Sequence, residues 1–447
     1  MKYDAIIIGA GYAGLAAAKN LLESGKNILV LEARERVGGR ILTQYLEDGN
    51  YVDLGGQWIG PGQERMYALA KKYGISTFAT YDKGKSILYF NNKLKQYKGI
   101  IPPLPLFALL SLDAGIKKIT KLAKKINAGE PWLSEHATSY DSISLKDWMG
   151  QQMKNETARR MFTVAAEAIY ATDTGDISFL HALHYIKTNI DFDFLMNIKK
   201  GAQQDRLLGG AQSICNKIAE QLGERLQLNK PVQQIEQGVD DVTVNGEEFT
   251  YSAKKIIIAI PPAVVDKIHF EQPLPLNRQQ LISASFMGAV FKCYGIYPKP
   301  FWRARNLNGL CAAPDELVSV TFDNSPANGS KGILMGFALG NKAKALQALS
   351  EEHRKAEVLK CFTRLLGEEA ASPELYLDKS FTDEPWSKGC YAGMFPVQAL
   401  TTHAVSLATP TGHIHWAGTE TSAQFNGYME GAVRSGERAA AELNLLL

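Results

Sequence analysis

Residues 3–32 constrain this chain more than any other stretch. Tyr3-Asp-Ala-Ile-Ile-Ile8 is a short, continuous apolar run of the kind that forms a parallel strand covered on both faces. Gly9-Ala-Gly11-Tyr-Ala-Gly14 follows at once, and Leu15, Ala18, Leu21 and Leu22 then recur at helical spacing until Gly25. Asn27-Ile-Leu-Val-Leu31 is a second buried strand, with Glu32 at its carboxyl end, 23 residues after Gly9. Strand, glycine-rich turn, helix, strand and acid together make the dinucleotide-binding fingerprint in its full context. Gly9 permits the tight turn, Gly11 lets the backbone approach a pyrophosphate, and Gly14 lets the helix lie close to the strand. The helix N-terminus offers free amides and positive dipole to phosphates. Glu32 can accept hydrogen bonds from the ribose hydroxyls.

Composition places that unit in a larger frame. The chain has 447 residues, enough for about two domains, and its 45% apolar and 21% charged residues exclude a disordered polymer. Lys plus Arg is 49 and Asp plus Glu is 46, a net +3 that argues against a nucleic-acid binder. Cys215, Cys293, Cys311, Cys361 and Cys390 are widely spaced with no CxxC pair, which fits a reducing compartment. No apolar run reaches the roughly 18 residues of a membrane span; the stretch from Ile101 to Leu112 is short and broken by Pro102, Pro103 and Pro105. The N-terminal apolar run ends in glycines and does not read as a signal peptide. A cytoplasmic protein without an integral membrane anchor is expected. Lys117, Lys118, Lys121, Lys124 and Lys125 interleave with Ile116, Ile119, Leu122 and Ile126, which reads as a solvated amphipathic face over a core. His413 and His415, and His181 and His184, lack clustered Cys or acidic partners, so no metal site is expected.

Nucleotide-binding character recurs in three stretches, 1–77, 208–281 and 384–447. The second contains Arg225 to Val232, an Asn245-Gly246 hairpin turn and the buried strand Lys255 to Ile260 before Pro261-Pro262. Between them lie a mainly helical insertion, 78–207, and a mixed strand-and-helix insertion, 282–383. This interleaving predicts two interlocked domains with a ligand cleft between them.

Six further stretches carry chemistry. Arg34-Glu-Arg-Val-Gly-Gly39-Arg40 and Asp53-Leu-Gly55-Gly56-Gln57-Trp58 can wrap along a longer, extended dinucleotide, although the fingerprint alone does not separate NAD from FAD. Phe286 to Tyr297 reads as a strand with Lys292 in its apolar middle, where an ammonium needs either a structural partner or a function. Ser387-Lys-Gly-Cys390-Tyr391 is the most specific stretch. Ile414-His-Trp-Ala-Gly-Thr419-Glu420 and Asn426-Gly-Tyr428-Met429 to Arg438 close the chain, the latter opening a helix with small residues at packing spacings.

Taken together these motifs resemble the flavin-dependent amine oxidases of the monoamine oxidase group, over nearly the whole chain. The resemblance implies an α/β plus α+β fold. In it, an FAD-binding Rossmann-like domain (1–77, 208–281, 384–447) interleaves with a mixed sheet-and-helix substrate domain (78–207, 282–383), as in amine oxidases and glutathione reductase. It implies FAD held by Gly9, Gly11, Gly14, Glu32 and Arg34, then by Gly39, Arg40, Gly55, Gly56, Gln57 and Trp58. Val232, Thr419, Glu420 and Met429 complete the expected cofactor contacts. Cys390 matches the cysteine thioether-linked to the flavin 8α-methyl, Lys292 the lysine that reaches through a water toward flavin N5, and Tyr391 and Tyr428 the aromatic pair that sandwiches the amine. Gln203 matches a pocket glutamine, and Met196 and Phe337 fall in the pocket lining. Val320 stands where mammalian relatives tend to have an aromatic, so their substrate preference is not carried over.

The implied reaction oxidises an amine, most simply a primary monoamine, to an imine that hydrolyses to aldehyde and ammonia, while O2 becomes H2O2. The implied partners are thus a small amine and O2, with no nucleic acid; a homodimer is an assembly the family allows. A diamine, polyamine or amino-acid oxidase, a dehydrogenase using another acceptor, and a flavin-binding amine sensor are the alternatives. A polyamine site should place a carboxylate in the tunnel, and an amino-acid site an arginine.

Overall fold

The computed structural model describes residues 2–99 and 102–447; Ile101, which begins the proline-broken apolar stretch, lies outside them. Phe249–Ile258 organises the first sheet. It runs parallel to Lys2–Ile8, with Ile6 opposite Ile256, and parallel to Ile414–Trp416 on its other side. Its amino-terminal half pairs antiparallel with Val242–Gly246. Ile28–Leu31 and Leu226–Gln227 extend the sheet beyond Lys2–Ile8; Gln234–Gln237 and His269–Phe270 extend it the other way. The unbroken apolar run in Lys2–Ile8 has a direct cause. Ala5 and Ile7 pack with Leu15, Ala18 and Val433 of the covering helices, while Ile6 and Ile8 pack with Val244, Ile256 and Ile258 on the opposite face.

Tyr12–Glu23 packs along the last helix, Met429–Asn444, which brings the two ends of the chain together. A Cβ on Gly436 would lie 2.1 Å from Ala13 O, so the approach depends on glycine there.

The second sheet is ordered Leu375–Ser380, Val290–Tyr297, Gly332–Leu339, Val320–Asp323, Leu307–Ala312, Lys85–Phe90 and Lys93–Tyr97. Val290–Tyr297 is buried along its whole length. Phe291 and Cys293 meet Val358 and Phe362 of the helix Glu351–Leu366, while Val290 and Tyr294 pack with Val52 and Leu54, in and just after the strand Tyr51–Asp53, which leads into an arm ending at Trp58. A helical layer built on Leu106–Ala123, Leu145–Gln152, Glu156–Tyr170 and Phe179–Thr188 surrounds Trp148, Phe162 and Phe179. On its outer side the five lysines between Lys117 and Lys125 are exposed, with Ile119, Ala123 and Ile126 buried beneath. Among the described residues no helix is long and apolar enough to cross a membrane.

Three local expectations change. The insertion 78–207 also supplies the hairpin Lys85–Phe90/Lys93–Tyr97, which joins the second sheet; the exposed Lys93 and Lys95 conceal its alternation. The hairpin turn after Val242 lies at Glu247-Glu248, because Asn245 and Gly246 are still paired, to Thr250 and Phe249. Gly246 is required by contact instead: a Cβ would meet the Phe249 ring at 2.2 Å. Finally, Phe286 to Tyr297 is two strands. Phe286–Met287 pairs with Gly393–Met394, and Gly288 breaks the run, its carbonyl accepting from Cys390 N at 2.8 Å. That break places Cys390 beside the start of Val290–Tyr297.

Candidate active site

The nucleotide end is built at the carboxyl ends of Lys2–Ile8 and Ile28–Leu31. Gly9 has φ +101°, and a Cβ on Gly14 would lie 1.8 Å from Gly9 O, so both glycines are demanded by geometry. The buried Glu32 carboxylate accepts from Ala10 N at 2.7 Å and Arg34 N at 3.0 Å, which fixes it facing the turn. Arg34 in turn donates to Glu384 Oε2 at 3.0 Å and Ser387 Oγ at 2.5 Å, tying this corner to the segment that leads to Cys390.

A single cavity of about 690 Å³ continues from that corner. It passes Gly39, Arg40 and Gly56, reaches Cys390, Tyr391 and Tyr428, and ends among Phe322, Phe337, Gln203 and Met196. Nearly every residue expected from the sequence lines it. The exceptions are Gly14, Gly55, Lys292 and Glu420, which do not line it; Glu420 lines a second, smaller cavity. Gly55 is a close-approach glycine, since its Cβ would be 2.2 Å from Arg40 O. Met196 is 40% exposed, at the cavity mouth.

Glu420 lies behind Arg40. Arg40 Nη1 donates to Glu420 Oε1 at 2.6 Å and to Tyr391 O at 2.8 Å, and Gly393 N donates to the same Oε1 at 3.0 Å. Burial pushes the Glu420 carboxyl up, but the Arg40 charge and these hydrogen bonds outweigh it and hold the group below its ordinary value. The pair therefore locks the Gly39-Arg40 turn onto the Cys390–Tyr391 segment.

Lys292 is buried, and its ammonium donates to Asp53 O, to Gly55 O at 2.8 Å and to Gln57 Oε1 at 2.9 Å. Burial lowers its pKa to about 7, with the Asp53 carboxylate opposing that shift. Gln57 lines the cavity in front of it. Cys390 is buried at the wall, and desolvation raises its thiol to about 12. Burial likewise raises both Tyr391 and Tyr428. Tyr428 immediately precedes Met429–Asn444, so the free amides of that helix begin at the cavity.

Trp58 packs on Phe322 and Phe337, with ring centroids 4.9 and 6.0 Å away, and so sits with the second sheet as well as beside the expected cofactor glycines. Gln203 Nε2 donates to Leu195 O at 3.0 Å, leaving Oε1 without a partner. Among the described cavity residues the carboxylates are Glu32, at the nucleotide end, and Asp82 and Asp193, both exposed. The histidines hold structural partners: His181 faces Met394 Sδ, His184 Nε2 meets Ala128 O, and His415 Nδ1 meets Glu442.

Sequence reasoning passes over Asp53, Arg206 and Asn324. The buried Asp53 carboxylate accepts from Thr43 Oγ1 at 2.6 Å and Ala211 N at 3.0 Å. Arg206 Nη1 donates to Asn324 O and Ser325 O, both at 3.0 Å. Arg206 follows Gln203, Gln204 and Asp205, and Asn324 lies between Asp323 and Ser325, so no local apolar contrast marks either one.

A two-domain, dinucleotide-binding oxidoreductase is the class that this fold and cavity define. The flavin containing amine oxidoreductase profile matches residues 12–444. Over 449 residues the chain is 36% identical to amine oxidase [flavin-containing] A of Equus caballus, covering 99% of this chain and 85% of that one. A putrescine oxidase solved with putrescine superposes with a TM-score of 0.96 at 31% identity, covering 100% and 99% of the two chains. Cyclohexylamine oxidase from Brevibacterium oxydans superposes with a TM-score of 0.94 at 30% identity, with the same coverage. The chain belongs to the flavin-containing amine oxidoreductase family and is an amine-oxidising flavoenzyme. The glycine cradle, the fixed Glu32 and the long cavity fit FAD.

Proposed function

We propose that this chain oxidises primary monoamines to imines at the Tyr391–Tyr428 end of the cavity and passes the electrons to O2. Two electrons and two protons leave the CH–NH2 unit and reach O2 to give H2O2; water then converts the imine to aldehyde and ammonia. Bound FAD supplies the two-electron acceptor between amine and oxygen. The observation that carries the reading is one cavity joining the nucleotide turn to Cys390, Tyr391 and Tyr428, with Lys292 buried behind Gln57.

Tyr391 and Tyr428 offer electron-rich faces to the amine. No inner carboxylate among the described cavity residues is free to take a proton, so the amine arrives as the free base, its proton left to water at the mouth. Lys292, held beside the cavity, stabilises the negative charge that develops as O2 is reduced. Cys390 carries FAD through a thioether. That assignment is supported by its place at the wall, and by putrescine oxidase variants in which an alanine-to-cysteine change was made to redesign cofactor binding. Five cysteines, none of them joined to another, support a cytoplasmic location.

The test is a panel of primary mono-, di- and amino-acid amines with peroxide detection and anaerobic bleaching of the flavin. Peroxide and bleaching with monoamines are expected. Bleaching without peroxide would point to another electron acceptor, and neither signal across the panel would refute the oxidase reading.

A further inference from the structure

Behind the cavity wall runs a chain of buried polar side chains that joins both parts of the molecule. Lys292 Nζ donates to Gln57 Oε1 at 2.9 Å, and Gln57 Nε2 donates to Asn324 Oδ1 at 2.9 Å. Asn324 is held in turn by its backbone, whose N–H donates to Ile333 O at 2.7 Å and whose carbonyl accepts from Arg206 Nη1 at 3.0 Å. Lys292, Gln57, Asn324 and Arg206 are between 1% and 4% exposed. Gln57 touches the cavity and Asn324 does not.

The amide of Gln57 has one acceptor and one donor end, and only one orientation serves both neighbours. With its Nε2 on Asn324 Oδ1, its oxygen must face the lysine. Without that acceptor, Gln57 Nε2 is left buried and unpaired, and the side chain must rotate to find another partner, drawing Oε1 off the ammonium.

We propose that Asn324 is a positioning residue for the oxidative half-reaction, fixing the Gln57 amide so that its oxygen holds the Lys292 ammonium beside the cavity. The inference rests on the oxygen role of Lys292 proposed above. Three other groups act on the lysine: the Asp53 carboxylate favours its charged form, the Arg206 guanidinium disfavours it, and Cys390 would favour it only as a free thiolate, a form the thioether removes. Of the groups that accept from Nζ, the other two are backbone carbonyls, of Asp53 and Gly55, and cannot reorient without moving the glycine turn. Gln57 is the one adjustable contact, and Asn324 sets it.

The test separates the two half-reactions in the FAD-loaded enzyme. Asn324→Leu, of similar size, removes the acceptor. Anaerobic reduction by amine is expected within about twofold of the parent. Losing one charge-assisted acceptor should move the pH break of reoxidation down by about one unit, slowing reoxidation roughly five- to tenfold near pH 7.5. Asn324→Asp keeps an accepting oxygen in either protonation state and should restore the rate. If Asn324→Leu loads no FAD, Asn324→Ser, with a hydroxyl too short to reach, takes its place. A parent-like reoxidation profile in the Leu or Ser variant would overturn the proposal. So would equal slowing of both half-reactions, or an Asp variant as slow as the Leu variant. Lys292→Met run alongside distinguishes a different failure: normal reoxidation there would sink the lysine's role itself and leave Asn324 with nothing to position.

Discussion

Replacing Lys292 with methionine keeps the length of the side chain and removes its charge, which makes the cost of burying that ammonium measurable. In the unfolded chain the lysine titrates near 10.5, whereas in the folded protein burial brings it to about 7. Between those values the unfolded chain binds more protons than the native one, so stability rises with pH across the window from about 7 to 10.5. The full difference, about 3.5 units, corresponds to about 5 kcal/mol, of which about 2 kcal/mol falls between pH 7 and 9. Buried cysteines and tyrosines with raised values pull the other way at higher pH, but they do so in both proteins and cancel in the comparison. The methionine also leaves Asp53 O, Gly55 O and Gln57 Oε1 without their donor, at about 1–3 kcal/mol for each acceptor that water does not reach. Lys292→Met should thus be clearly less stable than the parent at pH 9 and close the gap by about 2 kcal/mol at pH 7. Urea titrations at pH 7, 8 and 9 with and without Lys292→Met, both in a Cys390→Ala background from which the flavin is removed, followed by tryptophan fluorescence, measure it. Parallel pH dependences would refute the account of Lys292 as a buried, depressed ammonium.

Glu420→Gln strips the partly buried Arg40 of its counter-charge and should cost about 3–5 kcal/mol in urea unfolding. Because the Glu420 value is lowered, the pair's contribution is present above the ordinary carboxylate range and is lost as pH falls through the lowered value; in a Cys390→Ala background, where FAD is free to leave, flavin retention should therefore decline in acid with Glu420 intact and be weaker but less pH-dependent with Glu420→Gln. Gly436→Ala pushes a methyl into Ala13 O and should cost about 1–3 kcal/mol, loosening the helix that begins at the nucleotide turn, read as a lower Tm and, in the Cys390→Ala background, faster FAD release. Cys390→Ala should still bind FAD in the native state but yield none on the protein after denaturation and washing, whereas the parent keeps its flavin through both steps.

What the sequence shows and what it hides follow from how each contact is encoded. The nucleotide corner is written within about thirty residues, because strand, turn, helix and acid are neighbours along the chain, and Glu32 meets Ala10 N at a separation of only 22 positions. Cys390 and Tyr391 are legible for a different reason: they sit inside a dense local motif. Asn324 has neither advantage. It follows the strand Val320–Asp323, and its partner Gln57 is 267 positions away. Only sheet register, set when Gly332–Leu339 pairs with Val320–Asp323, carries it to the back of the cavity. The same reasoning explains the hairpin at Lys85–Tyr97, whose outward lysines erase the period-two pattern, and the break at Gly288, which is dictated by the approach of Cys390 O at 2.3 Å to where a Cβ would be.

The segment Asp53–Trp58 is where these two kinds of encoding meet. Its carbonyls at Asp53 and Gly55 hold Lys292, and Tyr294 Oη adds a 2.6 Å hydrogen bond to Asp53 O, so two consecutive inward residues of the second sheet end on one turn of the nucleotide-binding arm. The Asp53 side chain is anchored the other way, to Thr43 and Ala211, and Gly55 lies against Arg40, whose guanidinium grips Glu420 and Tyr391 O. A shift in this turn must therefore move the lysine, the tyrosine wall and the flavin-side arginine together. That coupling supplies a reason for two glycines in succession here. Gly55 is needed for backbone contact, and Gly56, whose Cβ would meet Ile41 at 2.9 Å, lets the turn pass between the arm and the cavity. A Gly55→Ala variant consequently should not behave as a local packing defect: displaced from Arg40 O, it should weaken FAD binding and slow reoxidation in the same protein, and a loss of stability with both of those unchanged would show the turn to be passive.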